Sequence, residues 1–360
     1  MHMSTTASVL TALIAVISAA TPRVEARRSD SVTGGLVFIA TQDKEQSKEK
    51  GPEVSDGERK LAAKINAAPD AAAKMQAAGE FIKKYPKSSL RPQIVGFLSN
   101  QIASVADNAQ KIALAENFQR LFTEAGDAQL ITPVLIDAYI ATKRIDDAFR
   151  LSDTWLQKDP DDVGVLAVLA ITGTNEAKLN NPKFVQQSQQ YGFKAIELIE
   201  ANKKPAHMDD AQWSKNKATW LPQLYHSTGY IALVSGAARA DALARLQKAV
   251  ALDPADPVNY VLIGNIKNAE YEEMAKQYQG TAAGATRDAM LPKINAQLDE
   301  VIDIYAHSVA LLQGKPEYKQ AHDQVMSDLQ AYYKYRHNNS TDGLQQLIDK
   351  YKAPSPQPKP

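Results

Sequence analysis

Six histidines stand at positions 2, 207, 226, 307, 322 and 337, and no two of them share the four-residue spacing that would set a pair of imidazoles on one helix face. We therefore expect no metal. Cysteine is absent, which removes thiolate ligands, thiol nucleophiles and disulfides, and no pattern calls for a cofactor. Ser-x-x-Lys occurs as Ser47 to Lys50 and Ser214 to Lys217, but the Ser-Asp-Asn and Lys-Thr-Gly companions are missing, so both serines read as surface residues. Gly280-Thr-Ala-Ala-Gly284 has no lysine and follows no strand, so it reads as a connection between helices rather than a phosphate cradle. The carboxylate pairs Asp146-Asp147, Asp161-Asp162 and Glu272-Glu273 fall at turns or on helix faces, where capping and solvation account for them. General acid-base catalysis would need one of them desolvated in a cleft. The expectation is a protein that is not an enzyme.

One segment, Lys203 to Lys217 (KKPAHMDDAQWSKNK), gathers His207, Asp209, Asp210 and Trp213 at a loop and the first turn of a helix. Such an insert could bear a ligand site. The alternative, which we favour, is that Asp209 or Asp210 caps the helix while Met208 and Trp213 pack it down.

The elements that must carry these residues repeat. Pro254 lies twelve positions after Ala242 in ADALARLQKAVALDPAD, and Pro160 lies twelve after Ala148 in DDAFRLSDTWLQKDPDD. Six residues beyond each proline comes a large apolar residue, opening Leu166-x-x-Leu169-Ala170 and Tyr260-x-x-Ile263-Gly264. Units of this kind bury a core only by stacking helix pairs on their neighbours, and stacked arrays commonly bind other proteins.

This pattern resembles the tetratricopeptide repeat. The best copy runs from Tyr225 to Pro254, with Gly229 at the small position and Ala242, Leu246 and Ala249 on the second helix; Ala232 stands where the family has tyrosine, and the turn holds one extra residue. A second copy, Gln129 to Pro160, keeps Tyr139 and Ala148 but has Ile136 for the glycine and Trp155 for an alanine. FIKKYPKSS, Phe81 to Ser89, is similar to the end of a helix pair in bacterial envelope repeats. The resemblance covers residues 60 to 280 and implies an all-α, right-handed α-α superhelix with a concave face that takes a protein or peptide partner. Projected onto this chain, the groove-facing steps select Asp137, Asn175, His226, Tyr230, Asn265 and Asn268, with Ile140, Ile171, Leu233 and Val261 among them. Tyr230 and Leu233 can equally serve as packing between repeats. Asn265 matches one amide of the clamp by which chaperone-binding repeats hold a terminal carboxylate, but Val261 takes the place of its lysine, so such a tail is not the expected ligand.

From Leu61 to Tyr351 apolar residues recur at steps of three and four, and strand-like alternation is nearly absent. The expected helices are 57–67, 70–85, 91–105, 107–124, 128–142, 145–158, 162–177, 182–201, 210–234, 238–252, 256–278, 286–313, 316–337 and 341–352. The stripe Met290, Ile294, Leu298, Val301, Tyr305, Ser308 and Leu312 makes the twelfth a long helix, part of a specialised C-terminal end. Domains then read as 1–20 signal peptide, 21–56 linker, 57–313 repeats, 314–352 helical cap and 353–360 proline-rich tail.

Lys and Arg balance Asp and Glu at 41 each, so no overall field draws the chain to nucleic acid. Val9 to Ala20 is apolar for twelve residues and ends in Ser18-Ala19-Ala20, a signal-peptidase pattern too short to span a bilayer. No integral membrane span is expected. Arg23, Arg27 and Arg28 follow this run and none precedes it. The expected location is periplasmic or secreted, or cytoplasmic if the run is no signal. Leu36-Val-Phe-Ile-Ala40 is an apolar patch in the linker. The sequence favours a non-catalytic bacterial envelope scaffold for protein binding. Two further readings stand beside it: an envelope hydrolase or carbohydrate-handling protein using the insert, and a structural assembly factor of an outer-membrane or secretion complex. No Glu-Ser dipeptide, the mark of solenoid lytic transglycosylases, occurs.

Overall fold

A computed structural model describes residues 54–206 and 208–352. The expected leader, most of the linker with its apolar patch, His207 and the proline-rich tail lie outside them. The described residues form fourteen α-helices and two short 3-10 turns, and among them there is no strand.

Several helices begin where short acidic or hydroxyl side chains take up their first free N–H groups. Ser55 forms a capping box with Glu58 at the start of α1, Asp56–Ala67. Asp70 accepts from Ala73 N at the start of α2, Ala71–Lys84, and Asp107 from Gln110 N at the start of α4, Asn108–Leu121. Helix α3, Arg91–Ala103, instead opens with proline in its first turn, where a missing N–H costs nothing. Helices α5, Ala125–Ala141, and α6, Ile145–Leu156, complete the first unit, which the chain leaves at Pro160. Its core contains Phe81, Ile94, Leu98, Phe118, Ile131 and Leu135. One buried ion pair ties α3 to the start of α5: Arg91 donates to both oxygens of Asp127, at 3.0 and 2.5 Å.

The second unit begins at Asp161. It comprises α7 (Val163–Lys178), α8 (Val185–Glu200), α9 (Asp210–Val234), α10 (Arg239–Leu252), α11 (Pro257–Gly280), α12 (Ala285–Leu312), α13 (Lys319–Arg336) and α14 (Leu344–Asp349). Sequence-adjacent helices pack as pairs, α7 with α8, α9 with α10 and α11 with α12, and α13 follows against α12. Two glycines allow this approach. A Cβ on Gly229 of α9 would lie 2.9 Å from Leu246 Cγ on α10, and one on Gly264 of α11 would lie 2.5 Å from Tyr305 Cε1 on α12. Ala242, Leu246 and Ala249 are fully buried on α10, as the repeat spacing requires. One apolar cluster runs from Tyr230 through α11 and α12 to Leu329, Tyr333, Leu344 and Ile348, so the C-terminal segment shares the core of the repeats before it.

The 203–217 insert follows the structural alternative. Asp209 accepts from Gln212 N at 2.7 Å and caps α9, Met208 and Trp213 are buried, and Trp213 Nε1 donates to Asn202 Oδ1 at 3.0 Å. Asp210 pairs with Lys204. Both carboxylates of the insert are therefore engaged in holding the chain in place. No described helix is long and apolar enough to cross a membrane.

Candidate functional site

Five of the six residues selected from the sequence stand in the second unit, Asn175 on α7, His226 and Tyr230 on α9, and Asn265 and Asn268 on α11. Asp137 lies half-buried on α5 in the first unit, and Asn175 is half-buried near the end of α7. The structure brings the remaining four into two polar clusters, each completed by residues that the periodicity did not single out.

The first cluster is a chain of four side chains. Asp256 caps α11 through Val258 N (2.9 Å) and accepts from Asn259 Nδ2 (3.0 Å), which turns Asn259 Oδ1 toward the imidazole of His226 at 2.8 Å. His226 Nδ1 must then carry the proton, because the oxygen facing it can only accept. Its Nε2 is left as the acceptor for Lys178 Nζ, 2.8 Å away. Lys178 is 9% exposed and also lies 5.4 Å from the centre of the Tyr230 ring. Burial pushes the Lys178 amine down to about 8, opposed by the Asp256 charge. Burial, with the positive field of Lys178, pushes His226 down to about 3. Asp256 is raised, first by its own burial. Tyr230 is 2% exposed, so its ring packs between helices.

The second cluster follows the next turns of α11. Asn265 is 6% exposed; its Oδ1 accepts from the Tyr305 hydroxyl at 3.1 Å, while its Nδ2 is buried with no partner. Asn268, one turn on, donates from Nδ2 to Glu272 Oε1 at 2.9 Å, and its buried Oδ1 has no partner. One amide thus offers a spare donor and the next a spare acceptor. Buried polar atoms are nearly always paired, and each left alone costs about 1–3 kcal/mol. Beside them stand the rings of Tyr271, Tyr305 and Tyr332, with Tyr332 edge-on to Tyr271 at 5.8 Å and parallel to Tyr305 at 6.5 Å. Asp328 on α13 accepts from Gln324 Nε2 at 3.2 Å on each oxygen. Burial raises Asp328, and burial together with the fields of Glu272 and Asp328 raises the phenols of Tyr305 and Tyr332.

Tyr305, Asp328 and Tyr332 were missed because the projected groove positions stop at α11, whereas these lie on α12, the long helix that ends the expected repeats, and on α13, in the expected cap. The stripe containing Tyr305 was visible, but not that it packs under the Asn265 turn. A separate open cleft of about 240 Å³ is lined by Asp299, Ile302, Asp303, Tyr333, His337 and Leu347. Its carboxylates are occupied: Arg336 grips Asp299 at 2.7 and 2.9 Å, and Tyr351 and Lys350 hold Asp303. Among the described residues no group of three or more His, Asp or Glu side chains could hold a metal ion. No family model matches the chain, and a search of curated proteins finds no match.

Proposed function

We propose that this chain is a non-catalytic helical-repeat scaffold that binds a peptide segment of a protein partner along the face carried by α11 in its second unit. The observation that supports this reading best is the pair of buried, unfilled amide atoms just beneath the surface of this face, Asn265 Nδ2 and Asn268 Oδ1, a donor and an acceptor one helical turn apart and flanked by the half-buried Glu272. A peptide group carries the complementary acceptor and donor, and extended segments held by side-chain amides use both. The reading extends the pairwise stacking to a right-handed superhelix of the tetratricopeptide type and places the protein in the bacterial envelope, following its N-terminal apolar run.

The hydrolase alternative loses support at the insert, where Asp209 and Asp210 are spent on a cap and an ion pair. An assembly factor would use the same peptide-binding face, so that alternative differs in partner rather than in chemistry. The test is affinity capture from an envelope extract followed by calorimetry with the captured partner's peptides. Asn268→Ala removes the free acceptor and should weaken binding by about 1 kcal/mol or more, with the variant's fold checked by its melting curve. Unaltered affinity in that variant would remove this face from consideration.

A further inference from the structure

We propose that the face shared by α11, α12 and α13 receives a positively charged side chain, arginine or lysine, of the bound peptide. The charge sits against Asp328 and Glu272 beside the rings of Tyr271, Tyr305 and Tyr332. This rests on the peptide-binding reading and gives the peptide its chemistry.

The cluster is short of one thing, a cation. Asp328 and Glu272 are half-buried, and among the described residues neither forms an ion pair with Lys, Arg or His. Their hydrogen bonds come from neutral amides alone, Gln324 for Asp328 and Asn268 for Glu272. Two cations of the neighbouring turns, Arg336 and Lys267, are engaged elsewhere. Arg336, whose field reaches Tyr271, is bound by both oxygens of Asp299, and Lys267 lies 3.5 Å from Glu270 and 3.2 Å from Glu300. Of the three rings packed together beside them, Tyr271 and Tyr305 are buried and Tyr332 is half-buried, and such π systems favour an ammonium or guanidinium and disfavour an anion. Both carboxylates act on the Tyr305 and Tyr332 hydroxyls, so the acids and rings share one field that an incoming cation would neutralise at once.

Asn265 supplies the independent observation. It is more than nine-tenths buried on the same helical stripe as Asn268 and Glu272, bonded to Tyr305 and left with an unfilled donor. A water bridging the two amides would fill those atoms but leave the carboxylates uncompensated. A basic side chain supplies that compensation at the half-buried Asp328 and Glu272, and the buried Asn265 Nδ2 and Asn268 Oδ1 are reached only as the cluster opens to take it. A terminal carboxylate, by contrast, would enter a site of its own sign.

The experiment is a selection of displayed random heptapeptides on the full chain, followed by calorimetry of a selected peptide against the parent, Asp328→Asn and Glu272→Gln. The expected result is a fixed Arg or Lys position. Replacing that arginine by citrulline, or a selected lysine by norleucine, should weaken binding to the parent at least tenfold. Asp328→Asn should cause a similar loss, and combining the two changes should cost no more than either alone. Selected peptides with no basic position would overturn the cation site, as would basic peptides indifferent to both protein variants. If those peptides still lose affinity with Asn268→Ala, the peptide reading survives that failure. Selection of no peptide at all overturns both. The neutral peptide arm leaves the protein untouched, so misfolding of a variant cannot hide the answer.

Discussion

Lys178 holds a charge where burial opposes one, and its pH behaviour follows from that. Its amine titrates at about 8 in the fold and near the ordinary 10.5 when unfolded. Below pH 8 both states are protonated and the penalty is complete; between 8 and 10.5 the unfolded chain binds more protons, so stability rises with pH. The rise amounts to about 3 kcal/mol on the ordinary conversion of pKa into free energy. Above pH 10 the raised tyrosines Tyr230, Tyr305 and Tyr332 work in the other direction, because the unfolded chain loses their protons first. Chemical denaturation between pH 8 and 10 should show the increase, and Lys178→Met should abolish it and melt higher than the parent at pH 7. His226 gives the acid counterpart. With its imidazole near 3 in the fold and near 6.5 unfolded, stability is intact above 6.5 and falls as pH drops toward 3. His226→Gln should flatten the slope between pH 6.5 and 4; a parent curve that is already flat there would refute a buried neutral imidazole.

At the scale of elements, the helices were legible because their signals are local. Asp70, Asp107, Asp162, Asp209 and Asp256 each accept from an N–H two or three residues on, and the apolar period between caps supplies the rest. The 182–201 and 316–337 helices differ from expectation at their starts, where Pro182 and Pro316 set a 3-10 turn before α8 and α13. The polar clusters were not legible. Lys178 and His226 are 48 residues apart and His226 and Asn259 are 33 apart, so only helix stacking brings them together. Glycines expose the same boundary between local and non-local information. Gly96 in α3 has nothing within 4 Å of the position a Cβ would take, whereas at Gly264 the Tyr305 ring stands in the way. Gly96→Ala should therefore stabilise by up to about 1 kcal/mol through helix propensity. Gly264→Ala gains the same propensity but displaces a buried ring that holds Asn265, and should destabilise by about 1–3 kcal/mol. Melting curves of the two variants separate the effects, and a stabilised Gly264→Ala would mean that α11 and α12 are not in close contact.

For the whole molecule, the repeat signature spans the turn Asp159-Pro160-Asp161-Asp162, while the packing divides the chain at that turn. Sequence similarity between repeats reports how each helix pair is built; it carries no information on which pairs share a core. The second unit holds a complete set of its own: the apolar cluster from Tyr230 to Ile348, the chain from Lys178 to Asp256, and the cap of α7, where Asp162 accepts from Gly164 N and Val165 N. At roughly 190 residues it is also well above the size at which a single core becomes marginal. Residues 161–352 expressed alone should therefore fold, unfold cooperatively in denaturant and keep the rise in stability from pH 8 to 10, since His226 and Asp256, which act on the Lys178 amine, lie inside the fragment. Near-ultraviolet circular dichroism checks the packing, because the buried Trp213, Trp220 and Tyr305 give a fixed signal only in an ordered core. A fragment with helical far-ultraviolet but featureless near-ultraviolet spectra would show that its core needs the first unit, and the division at Pro160 would then be one of chain path and not of folding.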